Sequence, residues 1–320
     1  MERRFPKALQ AGDEVAVITP ASGVRDEAAL ARGLERFRAL GWVPTLMPYA
    51  RGRLAWPEGC PVAATDAQRL GDLQAAIRDP RYRAIVCARG GYGAARLLPD
   101  LDLSPLASDP KPILGYSDIT ALLAAAYADV GLVSFHGPML ATADGMDAGE
   151  GGWRLQAQLL SNTSEALALP AADGARGVCQ GVAEGPLVGG NLALVQSLIG
   201  TRWEVDTRGA LLFLEDTGEP PYRVDRMLTQ LLQTGAVARA AGVVLGDFHV
   251  PDTPLASEHP GMVSVLEERL AGLRIPVARG FPIGHLPGAW TVPFGGRARL
   301  SVPAIGAPAT LELLEPCARG

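Results

Sequence analysis

Lysine, histidine and cysteine are scarce in this 320-residue chain, with two, four and four residues respectively. The cysteines, Cys60, Cys87, Cys179 and Cys317, lie 27, 92 and 138 residues apart and form no C-x-x-C pair. That spacing disfavours a zinc site or a disulfide framework and points to reduced thiols. No run approaches 18 apolar residues, so no membrane span is expected. Arg3-Arg4 superficially resembles a twin-arginine signal, but Gly12, Asp13 and Glu14 precede any apolar run. Val15–Ile18 is too short for a signal core, so a cytoplasmic location is expected. The formal charge of −5 excludes a nucleic-acid binder that works through bulk positive charge. The 27 arginines are scattered and read as codon bias.

Hydrophobic residues make up 48% of the chain and charged residues 20%, which excludes a disordered or fibrous protein. The length predicts two compact domains with cores that need no staples. Short apolar runs at Val15–Ile18, Val43–Met47, Ala84–Ala88 and Pro112–Tyr116 predict buried strands. Between them, Leu30, Leu34, Phe37 and Leu40 recur at helical spacing, as do Leu70, Leu73 and Ile77 behind a Thr65–Gln68 capping box. A further helix is expected over Asp118–Tyr127. Such alternation implies a parallel sheet covered on both faces. The pattern weakens from Asp147 to Glu184. We therefore expect a first domain over 1–160, a linker over 161–185 and a second α/β domain over 186–320. In the second, Leu192–Ile199 reads as a helix, and Ala210–Leu214, Gly242–Gly246 and Ile275–Ala278 read as strands. Val224, Met227, Leu228 and Leu231 share one helix face. Arg297–Val302 and Thr310–Leu314 alternate as edge strands do.

Ser117 follows an apolar strand and precedes a helix, where a side chain reaches the carboxyl rim of a parallel sheet. The place resembles a nucleophile elbow, with Gly115 as the first glycine and Ile119 where the last would stand. Ser117 is equally placed to be an ordinary helix N-cap. Arg89-Gly90-Gly91-Tyr92-Gly93 also follows a strand. It reads as a glycine turn or as half of an oxyanion hole, and it lacks a phosphate-loop pattern. A hydroxyl nucleophile needs a base. Of the four histidines, His285 lies in a loop after a strand, His136 ends an apolar strand as a buried residue would, and His259 sits in a polar loop. Asp247 and His249 have a metal-like spacing but no third ligand, so no metal site is expected. Glu215 ends a strong strand and can orient the base. Asp216 and Glu219 are rivals, and a solvated turn accounts for all three equally.

Together these segments resemble the LD-carboxypeptidases, the serine peptidases that include muramoyltetrapeptide carboxypeptidase. The resemblance rests on Arg89–Gly93, Gly115-Tyr116-Ser117-Asp118, Gly189-Gly190-Asn191-Leu192, Leu214-Glu215-Asp216 with Tyr222–Leu228, and Gly284-His285, in that order. It covers nearly the whole chain. It implies a flavodoxin-like parallel-sheet N-terminal domain and a smaller mixed α/β C-terminal domain. It also implies Ser117 as nucleophile, His285 as general base and Glu215 as its orienter, with the N–H groups of Gly91 and Asp118 as the oxyanion hole. The implied reaction releases terminal D-alanine from a cytoplasmic muropeptide tetrapeptide, without metal or cofactor. Arg89 and Arg223 adjoin motifs that should face the cleft and are candidate holders of the substrate carboxylate.

Within the same family, microcin-immunity peptidases cleave peptidyl- or aminoacyl-adenylates, and Trp153 or Trp290 would be the stacking residue for such a substrate. A non-catalytic muropeptide-binding sensor is the rival of another class. The expected partners are a muropeptide or other small peptide and a second copy of the chain in a homodimer, with no nucleic acid and no membrane.

Overall fold

The computed structural model describes residues 2–55, 61–142, 150–249 and 260–320. Cys60, Asp147, Gly149, His259 and the side chain of His249 fall outside that description. Among the described residues no helix is long and apolar enough to cross a membrane. Cys87, Cys179 and Cys317 are free and buried.

The chain forms two sheets. The first half supplies β1 (Glu14–Ile18), β2 (Val43–Leu46), a small hairpin of β3 (Leu54–Ala55) and β4 (Pro61–Val62), β5 (Tyr82–Cys87), β6 (Ile113–Gly115) and β7 (Ser134–His136). Helices α1 (Glu27–Ala39), α2 (Asp66–Arg78) and α3 (Thr120–Val130) connect them. Leaving the hairpin aside, the parallel strands lie in the order 2-1-3-4-5 of a flavodoxin-like sheet. The capping box at Thr65 and Gln68 forms at the start of α2 as the sequence predicts.

The last helix of this half is α4 (Glu150–Ser161). The second half supplies β8 (Arg176–Cys179), β9 (Gly181–Asn191), β10 (Leu211–Thr217), β11 (Gly242–His249), β12 (Val277–Arg279), β13 (Val292–Phe294), β14 (Arg297–Val302) and β15 (Thr310–Leu313). All but β13 build a mixed seven-stranded sheet in the order β15-β14-β9-β10-β11-β12-β8. Two sequence expectations are corrected here. Strand β8 begins at Arg176 and β9 at Gly181, so the expected 161–185 linker ends in paired strand. Strand β14 does not lie at an edge, because β9 pairs along its other side. Its alternating burial reflects two differently covered faces, not an open flank.

The halves interlock. Strand β13 leaves its own sheet and pairs antiparallel with β7, setting Val292 opposite His136. Helix α3 carries Ala121, Ala124, Ala125 and Ala126 among its buried residues and is covered nearly all round. Such a slim apolar helix can fill the space between two sheets, and α3 packs against β7, β9 and β13.

A buried lysine finishes α2. Lys111 is 1% exposed, and its ammonium donates to the carbonyls of Ala76, Ile77 and Asp79 at 3.1, 2.9 and 2.7 Å. These belong to the carbonyl groups that a helix leaves unpaired at its end. Lys111→Met should therefore lower unfolding free energy by about 3 kcal/mol, the scale of leaving buried acceptors unsatisfied. Urea denaturation measures it, and an unchanged midpoint would show that those carbonyls find other donors.

Candidate active site

The carboxyl ends of the parallel strands in both sheets face one cleft of about 490 Å³, lined among others by Arg89, Gly91, Ser117, Asn191, Asp216 and His285. Sequence-distant segments thus meet where open α/β sheets ordinarily bind ligands.

Ser117 opens a single 3₁₀ turn, Ser117–Ile119, separated from β6 by Tyr116 alone. Its φ is +62°, the only positive φ of a non-glycine residue among the described residues. A left-handed serine costs on the order of 1–3 kcal/mol, and such strain collects at functional sites. The N-cap reading is not supported, because neither this turn nor α3 is capped by a side chain. Ile119, which breaks the elbow pattern, packs on Gly115: a Cβ at Gly115 would come within 2.8 Å of its Cγ2. The tight turn thus places its glycine requirement before the serine.

The glycine loop lies against this turn. A Cβ on Gly90 would stand 3.1 Å from Ser117 Cβ. Gly91 has φ of +107°, and a Cβ there would collide with Ser22 Oγ. Ser22 grips the loop twice: its N–H donates to Gly90 O at 3.1 Å, and its Oγ accepts from Tyr92 N–H at 3.1 Å. The buried Asp118 carboxylate accepts from Ala94 N–H at 2.7 Å, so it joins the loop to the serine turn. Burial raises the Asp118 pKa, against the pull of that N–H and of Arg69. Arg69, fully buried, donates to Pro20 O and Gly93 O and pins the loop from below. Neither Ser22 nor Arg69 belongs to a motif visible in the sequence. The sequence signal for the second is its place four residues before Leu73, on the apolar face of α2.

Glu215 stands at a β-bulge, where the register of β10 against β11 shifts between Leu214 and Asp216. Bulges re-aim side chains beside active sites. The carboxylate is fully buried, and its Oε2 lies 2.8 Å from His285 Nδ1. Gly284 makes this approach possible, since a Cβ there would sit 2.8 Å from Oε2. Burial pushes the Glu215 pKa up, but the charge and hydrogen bond of His285, with help from His136 and the Asn191 amide, hold it below the ordinary value. His285 sits in the loop after β12, half-buried, with the Tyr116 ring 4.5 Å from its own.

The rivals of Glu215 are otherwise engaged. Asp216 accepts from Asn191 Nδ2, Ala193 N–H and Thr217 N–H at 3.0, 2.9 and 2.8 Å. Burial, then the charge of Glu215, still pushes its pKa up to about 7. Glu219 lines the cleft but pairs with Arg223 at 3.3 Å. Two adjacent carboxyls are thereby driven apart in acidity, a pattern associated with divided roles.

Other candidates separate. Arg89 lines the cleft, and its Nη1 donates to Gly23 O at 2.8 Å. Arg223 does not: after the short helix α5 (Leu192–Ser197) it lies in the first turn of α6 (Pro221–Gln233), 55% exposed and outside the cleft lining. Trp290 is buried beside Phe281, and Trp153 stacks with Arg154. Neither lines the cleft. No cluster of metal-ligating side chains occurs among the described residues.

The family models for the LD-carboxypeptidase N-terminal and C-terminal domains match residues 15–137 and 184–300. A probable murein peptide carboxypeptidase of Bacillus subtilis is 38% identical over 296 residues, covering 92% of this chain and 91% of that protein. The crystal structure of muramoyltetrapeptide carboxypeptidase from Oxalobacter formigenes is 30% identical, with a TM-score of 0.76 over 94% of this chain and 99% of that one. An MccF-like protein from Bacillus anthracis is 25% identical, with a TM-score of 0.83 over 98% and 99% of the two chains.

Proposed function

We propose, from the premise that this chain belongs to the LD-carboxypeptidase family, a reaction for the cleft and a role for each residue in it. The protein is a serine-type LD-carboxypeptidase. The proposed substrate is the tetrapeptide of a muropeptide recycled in the cytoplasm, and the proposed products are D-alanine and the tripeptide. The observation that carries this reading is the 2.8 Å contact between buried Glu215 Oε2 and His285 Nδ1, in the same cleft as the strained Ser117.

Ser117 Oγ attacks the carbonyl carbon before the terminal residue while His285 takes its proton. The oxyanion is received by the N–H groups of Gly91 and Asp118. His285 then returns the proton to the departing D-alanine amine. A water activated by the same histidine releases the acyl group. Glu215 fixes the imidazole tautomer and stabilises the cation formed in each step. Arg89, the one arginine or lysine lining the cleft among the described residues, is the proposed partner of the terminal carboxylate.

Stereochemistry tests the substrate. Inverting the terminal residue exchanges its methyl and carboxylate directions, so the carboxylate loses a charge-assisted bond. Such bonds are worth about 1.5–3 kcal/mol, roughly 10–100-fold in kcat/KM. An L,D-tetrapeptide should be cleaved that much faster than its L,L analogue. Equal values would refute the L,D-specific reading. An aminoacyl-sulfamoyl adenosine in a parallel incubation, with products read by mass, tests the adenylate reading.

A further inference from the structure

The chemistry above uses one oxygen of Glu215. The other, Oε1, is buried without a hydrogen-bond partner among the described residues. A bare carboxylate oxygen away from water is costly. His136 Nε2 stands 3.7 Å from it. His136 ends β7 and is itself fully buried. The rings of Phe213 and Tyr116 meet it edge-on, with centroids 5.1 and 6.1 Å away. Tyr116 also lies on His285. Two histidines therefore flank one carboxylate, one at each oxygen, with Tyr116 touching both.

We propose that His136 is a positioning residue for the triad, presenting its Nε2–H to Glu215 Oε1 and holding the carboxylate in the orientation that His285 requires. The proposal rests on the triad reading above. The tautomer follows from the facing atoms: a proton on Nε2 sets a donor against an acceptor, whereas a proton on Nδ1 sets two lone pairs against each other. The separation is longer than a hydrogen bond, and catalytic contacts commonly tighten only once substrate is bound. Burial brings the His136 pKa down to about 4, against the pull of Glu215 and with the push of His285. A neutral His136 donates to the carboxylate without competing with His285 to become the cation. The other titratable groups around the pair are Asp216 and Tyr116, and the Asn191 amide also approaches Glu215.

The test compares His136→Leu, which removes the donor, with His136→Gln, whose amide N–H can reach the same place. His136→Leu should fold, keep its KM and lose about 10–100-fold in kcat, the scale of removing an orienting second-layer contact. A donor at Oε1 draws charge away from Oε2. Without it Oε2 holds the His285 proton more tightly, so the acid limb of kcat/KM should move to higher pH. His136→Gln should restore most of the rate and the wild-type limb. Wild-type kinetics in folded His136→Leu, or equal losses in both variants with no change of the pH profile, would overturn the proposal. ¹⁵N NMR of the wild-type protein tests it without any variant: His136 should be neutral and protonated on Nε2 between pH 6 and 8, well above its pKa of about 4. An Nδ1–H tautomer would overturn the positioning role and leave the triad reading standing, whereas an active Ser117→Ala protein would remove the triad reading itself.

Discussion

Replacing Ser117 by alanine should abolish turnover while the fold is kept. Loss of a triad serine costs roughly 10⁶ in kcat, and His285→Ala should be comparably damaging. Ser117 is held at φ +62° between a buried strand and a buried helix, so the surrounding fold imposes the conformation. A position that needs positive φ is best served by glycine. Ser117→Gly should therefore be inactive and also more stable than the native protein, by about 1 kcal/mol. Near-native hydrolysis of an L,D-tetrapeptide by folded Ser117→Ala would sink the serine mechanism. A Ser117→Gly protein that melts below the native one would show that no strain is held at the serine.

The elements that hold this serine were legible because they are buried on both faces. Parallel strands under helices read as unbroken apolar runs, and β1, β5, β6 and β10 each contain or lie within such a run. Strand β13 was not legible. Val292-Pro293-Phe294 is three residues long, and nothing local says that it pairs with His136, Phe135 and Ser134 from the other half. Arg223 was misplaced because adjacency along the chain says little about direction on a helix. Val224, Met227, Leu228 and Leu231 take the inward face, and Arg223 is left pointing to solvent beside Glu219. His136 shows the opposite limit. A histidine at the end of an apolar strand reads as core whether it orients a carboxylate or merely fills space, and only the fold brings Glu215 within reach.

Glu215→Gln should lower kcat by about 10⁴ with little change in KM. The substitution keeps the shape and removes the charge. A glutamine can turn its amide N–H toward Nδ1 of His285, which forces the imidazole proton onto the nitrogen that must accept from the serine. In a serine triad that tautomer reversal costs about 10⁴. The discriminating comparison is Asp216→Asn. Asp216 is one residue away and also buried, but it accepts from Asn191, Ala193 and Thr217. Two of these donors, the Asn191 amide and the Ala193 N–H, belong to the start of the helix Leu192–Ser197. Its bonds therefore fix the cleft wall, not the imidazole. Since burial and the charge of Glu215 already push its pKa up to about 7, a neutral amide is a modest change there. Asp216→Asn should cost less than about 10-fold, the scale of one neutral hydrogen bond. A larger loss from Asp216→Asn than from Glu215→Gln would move the orienting role from one carboxylate to the other. The burial that now explains Glu215 would then require a different account, since an ionised carboxylate sealed from water is tolerated only where a partner such as His285 repays its desolvation.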